Sequence, residues 1–148
     1  MHWGRVRGAR PLASADRFGK VTIDSLNLFN LGRHEEAFRL IDDSIAEAIE
    51  EGERKWVSIL CHHATVLCIQ RHDLPLRKHY FGQSLVTNPE NPMALYGLAD
   101  AALEEGQPDI AKQLAQRCYR AIMRGDDEVV KTGLLDLVLK RWPEVDHQ

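Results

Sequence analysis

The chain has 148 residues, 44% of them apolar and 28% charged, with a formal net charge of −3. That is enough chain to bury a core of its own, and its charge creates no global field drawing it to nucleic acid or anionic lipid. No apolar run approaches the roughly 20 residues that span a bilayer, so neither nucleic acid nor membrane is an expected partner. Three cysteines, Cys61, Cys68 and Cys118, lack the spacing of a disulfide framework and read as reduced thiols inside helices. A cytoplasmic location follows as the expectation.

The first thirteen residues are basic, with Arg5, Arg7 and Arg10, and are interrupted by Gly4, Gly8 and Pro11. No hydrophobic stretch follows them as in a secretory signal, and glycine and proline disfavour helix. Residues 1–13 therefore read as a flexible basic leader, 14–142 as one helical domain and 143–148 as a tail. Ser14 or Asp16 caps a first helix that stops at Gly32, with Val21, Ser25, Leu28 and Phe29 on its buried face. Glu35 and Glu36 open a second helix, where acidic residues suit the positive end of the helix dipole. Its apolar side chains, Phe38, Ile41, Ile45 and Ile49, recur at helical spacing up to Glu50.

The third helix, 54–71, carries Trp56, Ile59, Leu60, Ala64, Leu67 and Cys68. Asp73 caps the fourth with Pro75 in its first turn, where a missing N–H is harmless, and Asn88-Pro89 ends it. Asn91-Pro92 opens the fifth, which Gly106 closes; Pro108 opens the sixth, which ends near Gly125. Asp126-Asp127 caps a seventh helix through Arg141, before Trp142-Pro143. Seven helices joined by short turns leave no room for a sheet, so the fold class is all-α.

Two of these hairpins share their punctuation. Leu60, Ala64 and Leu67 recur 35 residues later as Leu95, Ala99 and Ala102, and Pro75-Leu76 recurs as Ile110-Ala111. A period near this value marks stacked helix–turn–helix units, and the pattern resembles the tetratricopeptide repeat, covering roughly residues 18–125 as three units. The third unit matches in Leu95, Leu98, Ala99, Ala102, Ala111, Ala115 and Cys118. The second matches in Leu60, Ala64, Leu67, Leu76, Tyr80 and Pro89, with His63 where a leucine is expected. The first matches in Leu28, Leu31-Gly32, Ala37 and Ile41, but Asp24-Ser25 is a poor stand-in for Leu-Gly, and its spacing to the second unit is about 39 residues. The resemblance implies an α-solenoid of antiparallel hairpins with a C-terminal capping helix.

It also implies a concave groove lined by the first helix of each unit, here by Thr22, Leu26, Phe29, Ser58, Cys61, Thr65, Met93, Tyr96, Asp100 and Leu103. Family members that grip a C-terminal Glu-Glu-Val-Asp carboxylate carry Lys, Asn and Arg at such positions, and none is present here. The last helix is apolar on two sides, Leu134, Leu137 and Val138 on one and Leu135, Leu139 and Trp142 on another. One neighbour cannot cover both. Either the helix wraps back into the groove, or Leu135, Leu139 and Trp142 form a self-association surface and the chain is a homodimer.

Chemistry finds little support. Cys61 and Cys68 share a helix face but lie about 10 Å apart along the axis, too far for one tetrahedral zinc with bonds of about 2.3 Å. His62 and His63 point away from Cys61, and only Cys68 and His72 have i,i+4 spacing. A Cys–His nucleophile pair would need an orienting third group, such as Asp73 or Asp100, that nothing in the spacing requires. Phosphate-cradling loops, nucleophile elbows and HExxH motifs are missing. The reading is a non-catalytic module, without cofactor or metal, that binds a peptide or helix of a protein partner in its groove. Two alternatives are a small self-associating scaffold or secretion-type chaperone, and a metal-dependent or catalytic role through Cys61, His62 and His63. Partner and pathway are not written in these residues.

Overall fold

The computed structural model of the chain describes residues 4–125 and 128–147, with side chains described over 16–125 and 133–146. Those residues form α1 (Gly4–Asn30), α2 (His34–Glu50), α3 (Arg54–Arg71), α4 (Leu74–Thr87), α5 (Pro92–Glu104), α6 (Pro108–Arg124), α7 (Glu128–Arg141) and a terminal 3-10 turn (Pro143–His147). No strand occurs among them, and the all-α expectation holds. The chain divides into two compact units, Met1–Arg71 and His72–Gln148. In the first, α1 packs on α2, α2 on α3, and α1 also on α3; in the second, α5 lies against α4 and α6, and α7 and the terminal turn lie against α6. Packing between sequence neighbours joined by short turns is the arrangement of consecutive antiparallel hairpins and is compatible with an α-solenoid.

The helix ends follow from local chemistry. Gly32, Gly52 and Gly106 sit at φ of 81°, 73° and 73°, the left-handed region that glycine enters without steric cost. Behind each, the next N–H reaches back to the helix: Arg33 to the Leu28 carbonyl at 2.9 Å, Glu53 to Ala48 at 2.8 Å, Gln107 to Ala102 at 2.9 Å. These bonds satisfy carbonyls that the helix end leaves without partners. At the start of α4 the Asp73 carboxylate accepts from the Leu76 N–H at 3.1 Å. At the start of α5 the Asn91 side-chain oxygen accepts from Met93 and Ala94 at 3.1 and 3.4 Å. The two cap-then-proline signals thus mark real helix starts. The acidic cap expected for α7, Asp126-Asp127, lies outside the described residues.

The described ends of the chain differ from expectation in two places. Backbone helix reaches back to Gly4 rather than beginning near residue 14; arginine and alanine, frequent in this stretch, are strong helix formers. Beyond α7, the tail residues turn back as a 3-10 segment and bury Val145 completely.

The core of the second unit joins Leu95, Ala99 and Ala102 of α5 to Ala111, Ala115, Cys118 and Ile122 of α6, and to Leu134, Val138, Trp142 and Val145. Ala99 and Ala111 are fully buried, as the small-residue pattern requires where two helices approach closely. Gly97 has the same role toward α4, since a Cβ placed there would run into the Phe81 ring. The first unit buries Phe18, Ile41, Ile45, Val57 and Leu60 in the same way.

Candidate protein-binding surface

In the second unit, the α5 face holds Met93, Tyr96, Asp100 and Leu103. Met93 is 43% exposed, Tyr96 and Asp100 are half-buried, and Leu103 leans on the core. The end of α7 meets this face. Arg141 Nη1 donates to Asp100 Oδ1 at 2.6 Å and to Tyr96 Oη at 3.2 Å. The Trp142 ring meets the Tyr96 ring edge-on at 6.2 Å and 83°, with the Arg141 guanidinium 5.0 Å from the Trp142 ring centre. Asp100, the single carboxylate of the expected lining, is therefore already neutralised by a cation of its own chain. What α5 leaves for a visitor is the Met93 side chain and the accessible parts of Tyr96 and Asp100.

The terminal ridge is rearranged by the same packing. Leu134, Val138 and Trp142, spaced i, i+4 and i+8, point inward, and Trp142 is only 5% exposed. Leu135 and Leu139 pack against that core half-buried, and Leu137 is left outside. The end of the helix packs toward α5, and within its own unit Trp142 is buried and Leu135 and Leu139, the other residues expected for self-association, are half-buried.

In the first unit, the expected lining splits. Leu26 is 38% exposed and Thr22 and Ser58 are half-buried. Phe29, Cys61 and Thr65 are buried and present nothing to a partner. Phe29 stacks on His34 at 4.1 Å and meets Phe38 edge-on at 6.2 Å, so it serves the α1–α2 hairpin. The Thr65 hydroxyl donates to the His62 carbonyl at 2.6 Å, and burial pushes the Cys61 thiol up to about 12, with Asp42 adding to the effect.

One pairing in this unit escapes a residue-by-residue reading. Ser25 Oγ lies 2.6 Å from the Val21 carbonyl and 2.9 Å from His63 Nε2. A carbonyl only accepts, so the single hydroxyl proton goes to Val21 and His63 Nε2–H donates to Ser25 Oγ. Ser25 and His63, two of the residues that depart from the pattern expected from the sequence, are bonded to each other across α1 and α3. The clue was available, since both departures fall in adjacent columns of successive repeats. The Arg141–Asp100–Tyr96 contact had no comparable signal, because nothing local ties residues that far apart.

All three cysteines are free and buried, and burial also pushes Cys118 up to about 12. Among the described residues no three His, Cys, Asp or Glu side chains converge as a metal site, and no helix is long and apolar enough to cross a membrane.

No family model matches the chain, and no solved structure matches it significantly. The chain is similar to Cellulose synthase operon protein C of Pseudomonas fluorescens (strain SBW25), 30% identical over 118 residues, which is 78% of this chain. The matched stretch is 9% of the length of that protein.

Proposed function

We propose that the chain is a non-catalytic, tetratricopeptide-like interaction module of the cytoplasm that binds a peptide or helix of a protein partner on the α5 face of its second unit. The observation that carries this reading is the exposed Met93 beside Tyr96 and Asp100 on a helix whose opposite side is anchored in the core. Met is adaptable and polarisable, suited to surfaces that accept a partner's apolar side chain, and Tyr supplies contact area with little rotamer entropy to lose. The likeness to part of a much longer protein fits a module that works through contacts with other chains. A non-catalytic role is supported by thiols held protonated and by a serine hydroxyl committed to a backbone carbonyl. With few charged anchors, an affinity on the order of −8 kcal/mol, or about 1 μM, suits such a face. Affinity capture from native lysate, followed by titration of the captured partner against Met93→Ala/Tyr96→Ala, tests the assignment. Affinity should fall at least about tenfold, a change of about 1.4 kcal/mol, with helical circular dichroism retained. Undiminished binding by a folded variant refutes it.

A further inference from the structure

Helix α6 carries Arg117, Arg120 and Arg124 at spacings that make them neighbours on one helix surface. With Pro89, Glu90 and Leu95 they line a cleft of about 220 Å³ within the second unit. Like charges so placed oppose one another along a helix. Arg124 is offset by an ion pair with Glu90, and Arg117 and Arg120 are exposed beside it. The described lining of the cleft thus sets three guanidinium groups against one carboxylate, in a chain whose net charge is −3.

We propose that this cleft docks a single acidic side chain of a partner protein, held by Arg117 and Arg120 together. Planar guanidinium forks match the two oxygens of a carboxylate and bind it by paired, charge-assisted hydrogen bonds. The cleft is smaller than the roughly 300–1,000 Å³ that encloses a whole small molecule, and the exposed Pro89 gives it an apolar wall. A glutamate fits both features, its methylene stem on that wall and its carboxylate between the arginines. Glu90 sets the selectivity: it already occupies Arg124 and repels a second acid at that end. The segment preferred is thus one glutamate among apolar residues rather than a polyacidic run. The residues involved are not those of the Met93–Tyr96 face, and the two sites stand or fall separately.

Fluorescence anisotropy of the full chain with a short labelled peptide, one Glu among Ala and Leu with both ends blocked, tests the site. Saturable binding is expected, weakening with salt and falling at least about tenfold, equivalent to about 1.4 kcal/mol, for the Gln-for-Glu peptide and for Arg117→Gln/Arg120→Gln. If that variant loses helical circular dichroism, Arg117→Gln and Arg120→Gln singly carry the same expectation at smaller amplitude. Arg54→Gln/Lys55→Gln, an equal change of charge in the first unit, should leave binding unchanged. No binding of the Glu peptide, equal binding of the Gln peptide, or an equal loss in the Arg54/Lys55 variant overturns the proposal. So does displacement of the peptide by inorganic phosphate at constant ionic strength, which would make the cleft a site for free oxyanions.

Discussion

Ser25 and His63 show how a sequence departs from its pattern without losing the contact that the pattern protects. Where the pattern expected from the sequence has a small residue on one helix and a leucine on another, this chain places a hydroxyl and an imidazole, bonded at 2.9 Å. Burial holds His63 below its usual pKa of 6.5, and the charge of His62 lowers it further. A histidine whose folded pKa lies below its unfolded value contributes stability above pH 6.5 and loses it as the pH falls through the lowered value. Ser25→Ala should cost about 1 kcal/mol, the low end for an orphaned donor because His63 is half-buried. His63→Leu should cost less, since Ser25 keeps its bond to Val21, and should flatten the acid limb of the stability profile. In the double variant most of the Ser25→Ala loss should be recovered. Chemical denaturation of the four proteins between pH 5 and pH 8 measures all three terms, and strictly additive losses would show that the bond contributes nothing.

At the scale of elements, what was legible is what is written locally. Glycine in left-handed turns, Asp73 and Asn91 as caps and proline in first turns fix helix boundaries within a few residues, because each signal acts over one turn of chain. Orientation about a helix axis is not local. α7 offers apolar side chains all round, and the inward row, Leu134, Val138 and Trp142, takes two members from one expected ridge and one from the other. The surfaces of α6 and of the Tyr96 side of α5 make that choice, and packing against neighbouring helices turns Phe29, Cys61 and Thr65 inward. The α5–α6 contact is the tightest test of the repeat alignment, since Ala99, Ala111, Ala115 and Cys118 have no exposed surface. Ala111→Leu should force apart helices that meet through small side chains and cost about 1–3 kcal/mol. A thermal midpoint equal to that of the parent protein would mean that the alignment is wrong at this unit.

For the molecule as a whole, a repeat period says which hairpins resemble each other, not which of them share a core. The second of the three units read from the sequence comprises α3 and α4, yet the boundary between the compact units falls between Arg71 and His72. Residues 72–148 hold a contiguous core built from α5, α6, α7 and the terminal turn. To it α4 adds Phe81 over Gly97 and ion pairs from Arg77 to Glu104 and Lys78 to Glu105. The Lys78–Glu105 pair is solvent-accessible and contributes little, whereas the Arg77 side chain is largely covered, so α4 is held by close helix contact together with that pair. A segment of this length lies within the range in which a single core sustains folding unaided. Residues 72–148 expressed alone should therefore be helical and unfold in one cooperative transition. If the sequence repeat were instead the folding unit, the cut would split the α3–α4 hairpin. Then residues 54–148 would fold and residues 72–148 would not. Circular dichroism melts of the two fragments separate the cases: a featureless melt for 72–148 beside a cooperative one for 54–148 overturns the two-unit division.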